Sequence, residues 1–331
     1  MACKINYFSL NEPLWRRYLR RITLLPTSEI FHRGLNIARK RLHGGLLSFP
    51  QNVHVEVTNH CNLACPMCVF YKQKRTKGFM DFNLFEKIIH QCKGRRPLEK
   101  MALMGLGEPF LHPELIPMSR YAKSQGIYHI FTSTNATLLG ERESKAIVSE
   151  PGFDLLIMSL DGATKSTYEN IRRGADFDKV LINILTFLNI RRCLKKKRPR
   201  LVLEFLSMKE NYQEKDIFVK FWKDKLDNQD IILFRDVDTF GGQVPDHRLS
   251  SQIPRRKRRA CLQLWRDLII SWDGDASVCC KDVNYILKVG NIRDSSVEEI
   301  WMNNQWNRLR SLHREGYWNE IELCAKCSEW G

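Results

Sequence analysis

Three closely spaced cysteines constrain this chain more than any other feature of its sequence. Cys61, Cys65 and Cys68 follow directly after the alternating apolar run of residues 53–58, a pattern typical of a β-strand. Thiolates are soft ligands for iron-sulfur clusters or zinc, and three at this spacing can converge on one inorganic centre. Because a structural metal site normally closes its coordination sphere, a centre with only three protein ligands keeps a position for chemistry.

The length and composition indicate a globular protein of a reducing compartment. A length of 331 residues suggests roughly two domains. No apolar run approaches the ~18 residues that span a bilayer, and the N-terminus lacks the apolar stretch of a signal peptide. We therefore expect a cytoplasmic protein, and seven of its eleven cysteines fall into groups that indicate reduced, metal-binding thiols.

Positive charge is concentrated in three parts of the chain. The formal net charge is +16, and basic residues cluster in residues 1–50, 191–200 and 255–259. Such blocks favour anionic partners, such as a phosphorylated substrate or an acidic membrane surface, although a solvated basic face is the commonest explanation. Residues 14–22 and 29–42 predict short helices with apolar and cationic faces, which either cap the core or touch a membrane peripherally.

After residue 50 the chain alternates short apolar runs with helical stretches. The apolar runs predict strands at residues 53–58, 101–105, 128–133, 154–160, 201–207 and 231–236. Helices are expected near residues 81–93, 113–125, 140–150, 164–190 and 212–227. This alternation predicts an α/β fold of βαβ units with a parallel sheet and right-handed crossovers. By analogy with complete barrels, we expect the chemistry at the C-terminal ends of the strands.

Two polar motifs follow the second and third predicted strands. In the first, Gly107-Glu108-Pro109, glycine lets the backbone approach a ligand and the carboxylate can accept hydrogen bonds from an ammonium group. In the second, Asn135 either contacts a ligand or caps the helix that follows.

The sixth predicted strand ends in charged side chains. Arg235, Asp236 and Asp238 lie at the expected mouth of the barrel. They are our candidate catalytic residues, for substrate contact or proton transfer. Charges in this position are often solvated or paired with each other, and that alternative stays open.

A second group of cysteines lies near the C-terminus. Its members are Cys261, Cys279, Cys324 and Cys327. Four thiols can enclose one cluster or one zinc ion. Cys280 is an alternative to Cys279, but the spacing from Gly274 favours Cys279. Residues 269–278 predict a hairpin that turns at Asp273-Gly274, and a helix with a serine cap is expected after Gly290.

Zinc is an alternative at both groups of cysteines. At the first group, His54 or His60 would supply the missing ligand. At the second group, the four cysteines would suffice by themselves.

The two cysteine groups, in this order, resemble those of the radical S-adenosylmethionine (radical SAM) enzymes that carry a C-terminal SPASM/Twitch-type auxiliary iron-sulfur domain. The resemblance implies a partial (β/α)6 TIM-type barrel with a small C-terminal auxiliary-cluster domain. We expect a basic helical extension over residues 1–50, the barrel over 51–240 and the auxiliary domain over 241–331. The implied cofactors are S-adenosylmethionine, a catalytic [4Fe-4S] cluster on the first cysteines and an auxiliary [4Fe-4S] cluster on the second.

The resemblance also assigns residues to the cofactor. Gly107, Glu108 and Pro109 match the family's GGEP motif, which grips the methionine amino group, although Leu106 replaces its first glycine. Asn135 matches a TNG-type motif, with Ala136 where glycine is usual.

Three further positions and one backbone segment complete the implied cofactor site. Ser159 and Asp161 are expected near the ribose, and Arg172 at the cofactor carboxylate, for which its planar guanidinium is suited. The backbone around Met208 is expected under the adenine.

The family's chemistry implies the function. Reductive cleavage of S-adenosylmethionine gives a 5'-deoxyadenosyl radical, which abstracts a hydrogen atom from the substrate. A single auxiliary cluster fits an oxidation, and the segment before the first cysteine motif is too short for a separate peptide-recognition domain, which favours a sugar, cyclitol or glycan-linked substrate. We therefore expect the oxidation or epimerisation of such a substrate. Modification of a peptide or protein is the alternative. Flavodoxin or ferredoxin is the expected electron donor.

A non-catalytic, RNA-binding metal protein is a second alternative. It would use the basic blocks to bind RNA. Those blocks lack the interleaved aromatic residues that stack on single strands, so a nucleic-acid partner is not expected.

Overall fold

The structure is a computed structural model that describes residues 7–8, 47–248 and 258–327. The helices predicted at residues 14–22 and 29–42 lie outside the described residues, as does nearly all of the expected extension 1–50. The basic run 255–259 is described only from residue 258 onward.

Six parallel strands form the centre of one ten-stranded sheet. They are β2 (Asn52–Val55), β3 (Lys100–Ala102), β4 (Ile130–Thr134), β5 (Leu155–Ser159), β6 (Arg200–Ser207) and β7 (Ile231–Asp236). Each strand pairs in parallel with the next one along the chain, so the sheet winds in a single direction as in a β/α barrel. The predicted α/β fold is confirmed, and each predicted strand has its counterpart.

Four more strands extend the sheet at its two edges. Strand β1 (Tyr7–Phe8) pairs in parallel with β7, and β8 (Asp267–Ile270) pairs in parallel with β2. Strands β9 (Asp275–Ser277) and β10 (Lys288–Asn291) continue from β8 in antiparallel fashion. The C-terminal segment therefore shares one sheet with the barrel, and the expected domain boundary after residue 240 stays a prediction.

Helices cross between the parallel strands and pack on the outside of the sheet. They are α1 (Phe82–Cys92), α2 (Leu115–Ser124), α3 (Glu141–Ser149), α4 (Lys165–Ile171), α5 (Phe177–Cys193) and α6 (Lys215–Trp222). Aspartates begin two of them, since Asp81 accepts the N–H of Leu84 and Asp176 accepts that of Lys179. Within the described ranges, no helix combines the length and apolarity needed to cross a bilayer.

The single helix expected at residues 164–190 is wrong, because the chain breaks there into α4 and α5. Arg172 ends the first helix, and Gly174 adopts a φ of 93°, which favours glycine. Asp176 then caps the second helix. The break places Arg172 at the end of a helix beside the cysteine loop rather than in the middle of a continuous helix.

The C-terminal segment follows its local signals closely. The hairpin between β8 and β9 turns at Gly274, whose φ is 93°. Ser296 forms a capping box with Glu299 at the start of α7 (Val297–Met302), which α8 (Asn304–Glu315) and α9 (Glu322–Ala325) follow. The buried indole of Trp301 donates to the carbonyl oxygen of Leu47 at 2.7 Å, which ties this segment to the start of the barrel.

The basic block 191–200 is not simply a solvated face. Arg191 is fully buried, and its guanidinium contacts Asp227 at 2.6 Å and donates to Asp230 at 2.9 Å. The adjacent Arg192 is 45% exposed and donates to Asp227 at 2.8 Å. Neighbouring basic residues therefore have different roles, and Arg191 is part of the core.

Replacing Arg191 by alanine is expected to lower the free energy of unfolding by about 3–5 kcal/mol, because it leaves two buried or half-buried carboxylates without their cation. Arg192→Ala is the matched control, and its exposed ion pair should be worth about 1 kcal/mol or less. Urea unfolding followed by circular dichroism measures both. Equal losses in the two variants would contradict a structural role specific to Arg191.

Candidate active site and auxiliary cysteine cavity

The first three cysteines lie in the loop after β2, on the side of the sheet where the strands end. Cys65 is buried, and Cys61 and Cys68 are partly buried. Cys68 begins a short 3₁₀ helix, and its Sγ accepts the N–H of Phe70 at 3.4 Å. Apolar side chains pack around the cysteines, namely Leu63, Met67, Ile171, Met208 and Val237. The loop thus gathers three thiols in an apolar setting.

Arg172 supplies the positive charge next to these thiols. Its guanidinium lies beside Cys65, and its Nε donates to Asp161 at 2.6 Å. Asp161 is fully buried and also accepts the N–H of Leu206 at 2.7 Å. Burial raises the pKa of the Cys68 thiol to about 11, so a metal centre must displace protons to bind here.

Glu108 is buried directly against the cysteine loop. Its carboxylate accepts hydrogen bonds from the hydroxyl of Thr134 at 2.6 Å, the N–H of Asn135 at 2.7 Å and the N–H of Phe110 at 3.1 Å. Its own N–H donates to the carbonyl oxygen of His60 at 2.7 Å. Burial raises the pKa of Glu108, and these hydrogen bonds favour its charged form.

Gly107 allows the close approach of these two loops. A Cβ at this position would lie 2.4 Å from the carbonyl oxygen of His60 and 2.5 Å from that of Thr58. Both contacts are with backbone, which cannot simply rotate away. Leu106, the departure from the usual glycine pair, donates its N–H to Glu56 at 3.0 Å.

Asn135 holds the cysteine loop through its side chain. Its Nδ2 donates to Asn62 at 2.9 Å, and its Oδ1 accepts the N–H of Thr137 at 3.0 Å. The neighbouring Ala136 has a φ of 59°, which accounts for the glycine usual at this position, and its carbonyl oxygen accepts from Asn183 at 2.8 Å. Local capping and the link to Asn62 therefore occupy the Asn135 side chain.

The other predicted cofactor residues lie at the ends of neighbouring strands. Ser159 is buried at the end of β5. Met208 follows β6, is buried beside the cysteines, and donates its N–H to Asn211 at 2.8 Å. Asn211 also donates to the carbonyl oxygens of Asp161 and Leu206. The side chain of Asn211 therefore connects the ends of β5 and β6. This residue was not identified from the sequence.

The three candidate catalytic residues have different environments and contact different residues. Arg235 is half-exposed and contacts Glu204 across the sheet at 2.9 Å. Asp236 is exposed. Asp238 forms an ion pair with Lys281 of the C-terminal segment. Their catalytic role stays a prediction, and the structure brings the first and third of them into ion pairs.

Sequence reasoning missed a buried bridge between the two halves of the protein. Arg75 contacts both carboxylate oxygens of Glu56, at 2.9 and 3.1 Å, and its Nε donates to the carbonyl oxygen of Val283 at 2.8 Å. Its guanidinium also covers the ring of Tyr285, with 4.4 Å to the centroid. A glutamate at a strand end and one arginine within the basic stretch of residues 72–77 give no local signal of such a pairing.

The second group of cysteines surrounds a cavity, which we call the auxiliary cavity. It encloses about 560 Å³, counting the space at its mouth, and its lining includes Cys261, Cys279, Cys324 and Cys327. Burial and the neighbouring thiols raise the pKa of Cys324 to about 12. Cys280 is exposed and is not part of the lining. The structure thus brings together the four predicted ligands, whose binding of a cluster stays a prediction.

Both cysteine groups have the donor chemistry of an iron-sulfur cluster. In the portions of the chain that the structure describes, no three His, Cys, Asp or Glu side chains are arranged to hold a single metal ion. The two histidines proposed to complete a zinc site have different neighbours. His54, on β2, is partly buried near Asp267 and Lys100, and the ring of His60 stacks on Phe79 with 4.7 Å between the ring centroids.

Known proteins share these two arrangements. The Radical SAM superfamily model matches residues 55–193, and the SPASM model, described as an iron-sulfur cluster-binding domain, matches residues 261–328. A similar protein is the tungsten-containing aldehyde ferredoxin oxidoreductase cofactor-modifying protein of Pyrococcus furiosus, which is 24% identical over 83% of this chain and 86% of that protein. Another is the S-adenosyl-L-methionine-dependent 2-deoxy-scyllo-inosamine dehydrogenase of Niallia circulans, at 21% identity over 83% of this chain and 92% of that one.

Two solved structures share the fold. BtrN in complex with AdoMet and 2-DOIA superposes with a TM-score of 0.57 at 18% identity, over 84% of this chain and 93% of BtrN. Streptococcus suis SuiB bound to its precursor peptide SuiA superposes with a TM-score of 0.66 at 14% identity, over 92% of this chain and 73% of SuiB. The two domain matches assign S-adenosylmethionine and [4Fe-4S] clusters as the cofactors. The chain therefore carries a radical SAM domain, followed by a C-terminal SPASM domain.

Proposed function

We propose that this radical SAM enzyme oxidises a sugar, cyclitol or glycan-linked substrate. The observation that carries the proposal is the auxiliary cavity, in which four cysteines lie beside the barrel. A substrate that loses a hydrogen atom must lose one further electron and a proton to complete an oxidation, and a second cluster is a suitable acceptor for that electron. The span of the similarity to a cyclitol dehydrogenase, 92% of that protein, supports the substrate class.

The residues of this chain would prepare the reaction at the strand ends. Cys61, Cys65 and Cys68 would hold the catalytic cluster, Glu108 would orient the amino group of S-adenosylmethionine, and Arg172 its carboxylate. When bound, S-adenosylmethionine and the reduced cluster supply the radical that abstracts hydrogen from the substrate. The apolar packing around the cysteines would exclude water from that step.

Charged residues at the mouth of the barrel would meet the substrate. Arg235 is half-exposed while still paired with Glu204, so it can contact a polar substrate without leaving a carboxylate buried alone. Asp236 is exposed nearby on the same strand and could accept the proton that the oxidation releases. These roles rest on position and charge.

Modification of a peptide is the second candidate. The higher TM-score, 0.66, is with a protein solved with its precursor peptide. Either reaction requires an electron donor such as flavodoxin or ferredoxin. We place both in the reducing cytoplasm, because metal-binding thiols are kept reduced there.

A deuterated amino cyclitol tests the proposed substrate class. Anaerobically reconstituted and reduced protein is expected to transfer deuterium from the reacting carbon into 5'-deoxyadenosine and to release a product two electrons more oxidised, both measured by mass spectrometry. The Cys61→Ala/Cys65→Ala/Cys68→Ala variant should form neither product, whereas Cys193→Ala, which replaces an exposed cysteine on α5, should behave as the wild type. Deuterium transfer from a peptide alone would instead establish the second candidate.

The auxiliary cysteines are expected to separate radical formation from product formation. The wild type should hold about eight irons per chain, and Cys324→Ala/Cys327→Ala about four, because each [4Fe-4S] cluster contributes four. This variant should still form 5'-deoxyadenosine but not the oxidised product. Cys280→Ala is the control and should keep all the iron. Undiminished product from the double variant would defeat the role of the cavity as electron acceptor.

Gly107→Ala is expected to weaken radical formation sharply. Its Cβ would overlap two backbone carbonyl oxygens and push the Glu108 turn away from the cysteine loop. A misplacement of about 1 Å in an active site can cost about a hundredfold in rate. The rate is measured as 5'-deoxyadenosine formed per minute at equal iron content. At Gly140 the added Cβ meets only the flexible side chain of Glu143, at 3.2 Å, so Gly140→Ala should remain close to the wild type. Similar rates in the two variants would show that the close approach at Gly107 is unimportant.

A further inference from the structure

The lining of the auxiliary cavity is mostly apolar apart from its cysteines. Six aliphatic side chains contribute to it, namely Leu264, Val278, Leu287, Leu309, Ile321 and Leu323. The polar side chains of the lining are Arg258, Gln263, Lys281 and His313. In so apolar a cavity each hydrogen-bond donor matters, because an electrostatic interaction is stronger at low local dielectric.

The ring of His313 is held in place by the first cysteine of the group. His313 lies on α8 and is 2% exposed. Its Nδ1 accepts the backbone N–H of Cys261 at 3.2 Å. A ring nitrogen that accepts a hydrogen bond carries no proton, so the neutral ring has its proton on Nε2. The geometry of the backbone contact therefore decides the tautomer.

The Nε2–H of His313 is a buried donor that lacks an acceptor. Among the residues that the structure describes, none accepts a hydrogen bond from it. An unsatisfied buried donor costs about 1–3 kcal/mol, and such groups are rare in native proteins. Since His313 belongs to the lining of the cavity, an acceptor that occupies the cavity can satisfy it.

Arg258 shows the same pattern next to the same cysteines. Its Nη2 donates to the carbonyl oxygen of Cys324 at 2.6 Å, and its guanidinium lies 4.9 Å from the ring centroid of Trp318. Its Nε is buried, again with no acceptor in the described part of the chain. Two donors that await acceptors in one cavity suit an occupant with several acceptor atoms, and cluster sulfurs are such atoms.

We propose that His313, through its Nε2–H, donates a hydrogen bond to a sulfur of the auxiliary cluster and raises the reduction potential of that cluster. Hydrogen bonds to the sulfurs stabilise the reduced, more negative form, and they are among the factors that set cluster potentials. A higher potential favours the passage of one electron from the substrate radical to the cluster as the substrate proton leaves. The inference rests on the proposed function, in which the auxiliary cluster is the electron acceptor.

The potential of the auxiliary cluster tests this directly, without substrate. The full chain with Cys61→Ala/Cys65→Ala/Cys68→Ala isolates that cluster, and its midpoint potential is measured by redox titration followed by electron paramagnetic resonance. His313→Phe is expected to lower the equilibrium constant for one-electron reduction of the cluster about tenfold, which lowers its midpoint potential by about 59 mV. His313→Gln keeps an amide donor and should recover a substantial part of the shift. His90→Phe, on the exposed side of α1, should leave the potential unchanged.

A second measurement keeps the proposal testable if His313→Phe loses the cluster. In protein labelled with ¹⁵N-histidine, pulsed electron paramagnetic resonance should show a weak hyperfine coupling between nitrogen and the reduced auxiliary cluster. His313→Gln should abolish this coupling. A strong coupling would indicate direct ligation and overturn the donor role, as would potentials that do not differ between His313→Phe and His90→Phe. Absence of the second cluster from the wild type would instead refute the proposed function, so the two failures are distinguishable.

Discussion

The buried ion pair between Glu56 and Arg75 is the contact on which the arrangement of both cysteine sites depends. Glu56 extends β2 and accepts the N–H of Leu106, so it fixes the turn that carries Glu108. Arg75 follows the first cysteine loop and donates to Val283 in the C-terminal segment. The pair thus joins barrel, cysteine loop and auxiliary region in one place. Because both charges are largely removed from water, each requires the other, and a partly formed bridge would be unfavourable.

The two cysteine sites differ in the charged and polar groups that surround the thiols. At the first, the cation of Arg172 lies beside Cys65 and is itself balanced by buried Asp161, so an otherwise apolar site contains one fixed, paired charge. The second is an apolar cavity in which the donors of His313 and Arg258 await acceptors. One setting suits the binding of a charged cofactor, and the other suits a closed centre whose role is to exchange electrons. The two sites are connected through one sheet, because β2, which precedes the first cysteine loop, pairs with β8 of the C-terminal segment.

Local signals predicted the parts of the fold that depend on local physics. Hydrophobic periodicity identified each barrel strand, and capping and glycine chemistry identified the β8–β9 turn and the start of α7, because those preferences act within a few residues. The break between α4 and α5 was missed, although Gly174 and Asp176 mark it. One continuous helix was predicted there because the apolar periodicity on both sides is helical and the interruption is only a few residues long. The ion pairs of Arg235 and Asp238 were not predictable, since their partners, Glu204 and Lys281, are distant in the sequence.

By itself the sequence determined the fold class, the family and the two sets of cysteines, because spacing and periodicity are written along the chain. Only the tertiary structure decided what surrounds them: that Asn135 is held by Asn62, that Arg191 belongs to the core, and that His313 lines the auxiliary cavity and has an unsatisfied donor. The physical reason is that burial, and the acceptor a buried donor needs, depend on segments brought together from far apart in the chain. A motif names the ligands, whereas packing sets the environment that tunes them.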